Sequence, residues 1–305
     1  MAIKLQPAIN KYKPLKVLLY GPTFAGKTLS SIRMAAGAIM KIRNCSEADA
    51  YKHMVLIDTE YGRAKLHRKI GPWNHIEINA PYFTEKLVDI VQELNTMDNV
   101  DVIIVDSLTH FWVKEGGILE QKAAKDKQGG NSYTNWLDYT AKFNKMLDIL
   151  LASPKHIFAT ARGKSEVILV ENDKGKQAPK VVGTKPELRE GVDFDFDIVF
   201  NVDKETHNLI VEKGIDGLDP ILVLGTPEVG AFLYDLFVQD TIIPPREADE
   251  YRASVRSMAK AHNLITFVQL KLSGRKLDDL PVDELQIFEA DMLEEIKKKQ
   301  VKKPT

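Results

Sequence analysis

This sequence predicts an α/β chain built on a mainly parallel central sheet, and three observations carry the prediction. From residue 15 to about 160, short apolar runs alternate with helix-length amphipathic stretches, the pattern of a parallel sheet covered by helices. The first run, "LKVLLY", feeds straight into the glycine-bearing "GPTFAGKT" and then into the helix-like "LSSIRMAAGAIMKI". Two later runs, "MVLIDTE" and "VDVIIVDS", end in acidic residues, as strands do when their carboxyl ends meet a polar site.

Residues 21–28, "GPTFAGKT", fit G-x-x-x-x-G-K-[ST] in full and in the required context of strand, tight loop and helix. Gly21 and Gly26 allow a compact turn whose backbone N–H groups point inward, and the helix that follows adds its partial positive charge. The expected nucleotide-binding stretch therefore runs through Gly21, Pro22, Thr23, Phe24, Ala25, Gly26, Lys27, Thr28 and Leu29. Lys27 would contact the β- and γ-phosphates, with a catalytic share in neutralising them, and the Thr28 hydroxyl would ligate Mg²⁺.

Further strands are expected at "HMVLID", "HIEIN", "VDVIIVD" and "KHIFATA", with helices between them. In "FTEKLVDIVQELNTM" the spacing puts Leu87, Ile90, Val91 and Leu94 on one face, with Thr84 as N-cap. "NSYTNWLDYTAKFNKMLDILLAS" does the same with Trp136, Tyr139, Phe143, Met146, Leu147 and Leu150. Between about 165 and 225 the pattern becomes short strands and turns, with "EVILV" and "KVV" either side of "ENDKGKQAP", a β-rich continuation of the core. "DFDFDIVFNVD" reads as a strand with Phe194, Phe196, Ile198 and Phe200 on a buried face; Asp193, Asp195 and Asp197 lack a third converging ligand for a metal. Two prolines in "TIIPPREADE" mark a boundary, giving a core over 1–240 and a small helical region over 245–305.

Composition narrows the function classes. A chain of 305 residues with 44% hydrophobic content can bury one large core and carry a small second domain. No apolar run approaches a membrane span and the N-terminus lacks a signal-peptide centre, so a cytoplasmic protein with no membrane partner is expected. The lone cysteine, Cys45, excludes an internal disulfide. A formal net charge of −1 gives no global attraction to nucleic acid, so any such contact must come from local patches.

Asp58, Glu60 and Asp106 compete for the acidic roles beside the loop. One carboxylate would hold Mg²⁺ and a second would polarise an attacking water; Asp106 is assigned to the metal and Glu60 to the water. Their one-residue spacing puts Asp58 and Glu60 on the same face if that strand stays extended, and for Asp58 a capping role is as good a reading as a catalytic one.

The order of these pieces resembles the RecA core. "GPTFAGKT", "IDTEYGR", "VDSLTHFW" and "TARGK" more closely resemble the phage RecA-like ATPases of the Sak single-strand annealing group, over residues 14 to about 225. The resemblance implies a RecA-like P-loop NTPase core that binds and hydrolyses ATP with Mg²⁺. In it Glu60 is the catalytic base, and Asp106 with Ser107 forms the Walker B end. It also implies single-stranded DNA as partner, copies of the chain itself in a ring or filament, a single-strand-binding protein, and the host cytoplasm as location. RecA carries a γ-phosphate-sensing glutamine at the end of the strand matching "HIFATA"; here Thr160 and Arg162 stand in that region.

In such a core the DNA-facing loops correspond to "KAAKDKQGGNS", with Lys125 and Lys127, and to the segment from 162 to 190, with Lys164, Lys174, Lys176 and Lys180. Lys185 and Arg189 have another reading, as trans-acting cations for a neighbouring subunit's γ-phosphate. The basic "RAKLHRK" at 63–69 reads as a solvated helix face, and His110, Trp112 and Trp136 as core residues. A P-loop kinase of a nucleoside or similar small molecule is the alternative function; Glu60 and the lack of an arginine-rich lid segment before residue 160 weigh against it.

Overall fold

The computed structural model describes residues 13–129, 131–171, 177–214, 218, 221, 222 and 224–239, and scattered positions from 252 to 295. They fall into two units, one over Lys13–Asp240 and a smaller one within Thr241–Thr305.

The larger unit is a mostly parallel α/β sheet. Its strands are β1 (Lys16–Gly21), β2 (Met54–Asp58), β3 (Asn74–Glu77), β4 (Val102–Asp106), β5 (His156–Glu171), β6 (Gln177–Pro186), β7 (Ile198–Val202), β8 (Leu209–Lys213) and β9 (Ile221–Leu222). The order is β3-β2-β4-β5-β1-β7-β8-β9, with β6 paired to β5 off this path. From β3 to β7 all pairings along this path are parallel; β8 and β9 add antiparallel neighbours. β1, β2 and β4 are buried at every position, so they read as unbroken apolar runs, as strands covered on both faces must.

Two helix layers cover the faces. Helix α1 (Lys27–Arg43) lies over one face; after the short α2 (Glu47–Ala50), helix α3 (Thr84–Asn95) covers the other. Next come α4 (Thr109–Val113), α5 (Ile118–Lys127) and α6 (Ser132–Leu151), and the unit closes with α7 (Pro227–Gln239). The heptad-like spacing in α3 and α6 does what it predicts: Leu87, Val91 and Leu94 are buried with Phe143, Met146, Leu147 and Leu150 in one cluster beneath the sheet. On the opposite face α7 crosses α1 at backbone contact, because Gly37 and Gly230 present no side chains there.

Three local expectations are corrected. Thr84 is the first residue inside α3, not its cap; Phe83 holds the extended N-cap conformation, and the buried Thr84 hydroxyl bonds to Glu85. "HIFATA" and "EVILV" are not separate strands but one, β5, which leaves the parallel sheet and continues as an antiparallel hairpin with β6, bulged between Glu166 and Val167. "DFDF" is not strand: Val192–Asp195 forms a 3₁₀ turn entered through Gly191 at φ 84°, and Phe194 is 75% exposed.

In the smaller unit, Val255, Leu264, Leu277, Leu280, Leu285, Phe288 and Met292 form their own apolar cluster, with a helix over Ile265–Leu272. The Arg252 guanidinium donates to the Asp278 and Leu280 carbonyls, tying that cluster's edge together. Among the described residues no helix is long and apolar enough to cross a membrane.

Candidate nucleotide-binding site

Because β1, β2, β4 and β5 are parallel neighbours, their carboxyl ends open on one edge, where α/β sheets gather their sites. A cavity of ≈ 230 Å³ lies there, lined by Thr23, Phe24, Gly26, Lys27, Thr28 and Leu29 from the loop and α1. Glu60, Asp106, Ser107 and Arg162 line it from the strand ends, and Arg63, Leu66 and His67 from the segment after β2.

The loop's shape follows from its two glycines. At Gly21 (φ 150°) a Cβ would come within 2.6 Å of the Val202 carbonyl oxygen, so only glycine lets β1 turn there. Gly26 is the N-cap of α1 at φ 97°. The Lys27 ammonium curls over the loop, donating to the Gly21 and Pro22 carbonyls at 2.9 and 2.8 Å, and burial lowers its pKa despite the nearby Asp106 and Glu60 carboxylates.

Asp106 ends β4 with its carboxylate buried between two hydroxyls. Thr28 Oγ1 donates to one oxygen at 2.6 Å and Thr160 Oγ1 to the other. Burial pushes this carboxyl above its ordinary range, and the two hydroxyl bonds offset part of that. The Asp106–Ser107 peptide is cis, and Thr59 latches the next residue by accepting from Ser107 N at 2.9 Å and donating to Ser107 O at 3.1 Å.

Asp58 and Glu60 part company. β2 stops at Asp58, whose fully buried carboxylate accepts from Glu60 N (2.6 Å) and Ala64 N (3.1 Å) and meets His75 Nε2 at 3.2 Å. Asp58 thus folds the following turn, through Tyr61 (φ 59°) and Gly62 (φ 72°), and the same-face expectation fails because the strand does not stay extended. That turn delivers Glu60 to the cavity. There its carboxylate meets Arg162, with Nε and Nη2 donating to Oε1 at 3.1 and 2.8 Å and Nη2 to Oε2 at 2.9 Å. His110, wholly buried, completes the cluster: its Nδ1 lies 2.8 Å from the Thr59 carbonyl, and its Nε2 lies 3.3 Å from Glu60 Oε1 and 2.8 Å from Arg162 Nη2. Burial raises the Glu60 pKa, but His110 and Arg162 outweigh it and hold the carboxyl at about 2.

His110 is buried, as the sequence predicts, and residues 63–67 are largely exposed, also as predicted; what the sequence does not show is that His110 meets Glu60 and Arg162 and that the segment borders the cavity. Arg63–His67 is a short 3₁₀ helix that turns Arg63, Leu66 and His67 to the cavity while Ala64 is buried behind. Lys185 and Arg189 are not brought to the cavity of their own chain: Lys185 lies near Glu166 and Glu190, and Arg189 near Asp195. Lys125 and Lys127 are exposed in the last turn of α5 rather than in a loop. Lys164 is exposed at the root of the hairpin, opposite Lys185. Lys180 belongs to β6, its side chain outside the described residues together with all of Lys174 and Lys176.

Residues 13–231 match the family model described as AAA domain. The chain belongs to that family. This AAA domain is a P-loop NTPase core, a nucleotide-binding fold, and the match spans the whole sheet from β1 to the first turn of α7. No curated protein matches the chain.

Proposed function

We propose that this AAA domain hydrolyses ATP with Mg²⁺ and couples that turnover to single-stranded DNA, as a self-assembling recombination protein of the Sak annealing kind. The observation that carries the reading is Glu60: an ionised carboxylate on the wall of the phosphate-loop cavity, held by an arginine on the strand that continues into the β5–β6 hairpin.

The donor set suits Mg²⁺, since Thr28 Oγ1 and Asp106 Oδ2 are hard oxygens already 2.6 Å apart beside the loop. Bound there, the ion would neutralise phosphate charge and orient the triphosphate. The loop amides and Lys27 hold the phosphates, and the Thr160 hydroxyl keeps Asp106 facing Thr28. Glu60 orients the attacking water and takes up its proton. In the arrangement described, Arg162 engages both Glu60 oxygens, so turnover requires one of them to be released. β5 runs unbroken from Arg162 into the hairpin, which gives DNA bound along Lys164, Lys174, Lys176 and Lys180 a direct mechanical route to that release. A glutamate on the cavity wall favours hydrolysis over phosphoryl transfer to a small molecule.

The test is phosphate release from MgATP with single-stranded DNA or with nucleosides added. Stimulation by DNA supports the reading; a phosphorylated nucleoside and indifference to DNA would replace it with a kinase.

A further inference from the structure

Outside the residues that meet phosphate or metal, one side chain grips the phosphate loop from behind. His207 stands in the turn between β7 and β8, and its Nδ1 lies 2.9 Å from the carbonyl oxygen of Ala25. The turn is built to hold it. Asp203 accepts from the backbone N–H groups of Glu205 and Thr206 and from the Thr206 hydroxyl, its own carbonyl accepts from His207 N, and Asp203 N donates to Asn208 O. His207 is thereby set at φ 59°, a left-handed conformation that a non-glycine residue adopts only when its surroundings fix it.

We infer that His207 is a positioning residue for nucleotide binding, one that fixes the orientation of the Ala25–Gly26 peptide; this rests on the proposed nucleotide reading. A trans peptide points its C=O and N–H in opposite directions. With the Ala25 carbonyl oxygen tied outward to His207, the Gly26 N–H must point away from His207, toward the side where the loop receives phosphate. Glycine at 26 makes the restraint necessary: it allows φ of either sign, so rotation of this peptide would cost little and would aim a carbonyl oxygen at an anion. A carbonyl oxygen only accepts, so Nδ1 is the donor, and the bond survives whether or not Nε2 is also protonated. Leu29, Ser30, Arg33, Leu224 and Gly225 surround a small cavity on this side of the loop. Gly26 and Leu29 line both this cavity and the larger one, whereas His207 lines this one alone of the two.

Three variants separate the hydrogen bond from the backbone. His207→Asn keeps a side-chain N–H donor in reach and tolerates positive φ; His207→Gly keeps the φ and removes the donor; His207→Ala removes the donor and strains the turn. With a fluorescent ATP analogue and Mg²⁺, the Gly variant should bind roughly tenfold more weakly than the parent, the loss of about one hydrogen bond. The Asn variant should stay within about threefold of the parent, and the Ala variant should be no better than Gly. In turnover the loss should fall on KM, with kcat changed less. Thermal unfolding of the protein without nucleotide reports folding separately: equal Tm for the Gly and Asn variants, with affinities that differ, is the expected pattern. Parent-like affinity in the Gly variant, or an Asn variant as weak as Gly, overturns the inference. Failure of the parent itself to bind MgATP would instead overturn the nucleotide reading on which it rests.

Discussion

Arg162 grips Glu60 through both carboxylate oxygens, Nη2 lying 2.8 Å from Oε1 and 2.9 Å from Oε2, while the same Nη2 reaches His110 Nε2 at 2.8 Å. Against the upward push of burial, His110 and then this Arg162 pairing hold the folded pKa of Glu60 at about 2, below its ordinary 4.5. Because the folded value is depressed, the stabilisation is present above pH 4.5 and is lost as pH falls toward 2. Arg162→Gln should therefore cost about 1.5–3 kcal/mol of stability at pH 7, the range for a hydrogen bond to a charged group. That difference from the parent should shrink on acidification. Urea unfolding at pH 7 and near pH 3 checks this; a difference that does not change with pH would mean that the ion pair is not its source.

Lys27→Ala should abolish useful nucleotide binding. It removes a charge-assisted contact of about 1.5–3 kcal/mol, or roughly 10- to 150-fold in Kd, from the cavity's main cation. Titration of the variant with MgATP is the check, and parent-like affinity would remove the phosphate-cradle role from residues 21–28.

Thr160→Val preserves shape but leaves one oxygen of buried Asp106 without its hydroxyl donor. The expected cost is about 1–3 kcal/mol, that of a buried polar group left unsatisfied, with most of it restored in Thr160→Ser. Chemical denaturation of the three proteins measures it. Equal stability of Val and Thr forms would show that Asp106 is satisfied by Thr28 alone.

For the hairpin, contacts from three cations to single-stranded DNA should give a log–log salt slope near −2, at about −0.7 for each. Replacing Lys174, Lys176 and Lys180 together by alanine should flatten the slope and weaken binding to every sequence alike while basal ATP turnover survives. Unchanged affinity and slope in the triple variant would move DNA binding off the hairpin.

The phosphate loop was legible because its signal is local: two glycines, a lysine and a threonine at fixed spacing between an apolar run and a helix. The buried strands β1, β2 and β4 were legible for the same reason, and α3 and α6 through their apolar stripes. What escaped is non-local. Arg162 and Glu60 are 102 residues apart in the chain, and Arg162 and His110 52 apart, so nothing in their neighbourhoods marks them as partners. The continuity of β5 was hidden by polar "RGKSE" in its middle, which breaks the apolar run although β6 supplies the pairing. Residues 63–67 looked like a basic surface helix because the composition does not reveal that Asp58 caps the turn and draws Ala64 inward. "DFDF" alternates like a strand, yet Gly191 at φ 84° starts a 3₁₀ turn before pairing can begin.

The proposed role of Glu60, activating water at an MgATP site, is checked by Glu60→Gln, with ATP affinity and phosphate release measured on the same preparation. Glutamine keeps the size of the side chain and one oxygen but cannot take up a proton, so MgATP should bind within a few-fold of the parent while phosphate release falls by about 10²-fold or more. Retained hydrolysis in Glu60→Gln, with nucleotide bound as in the parent, would contradict the account.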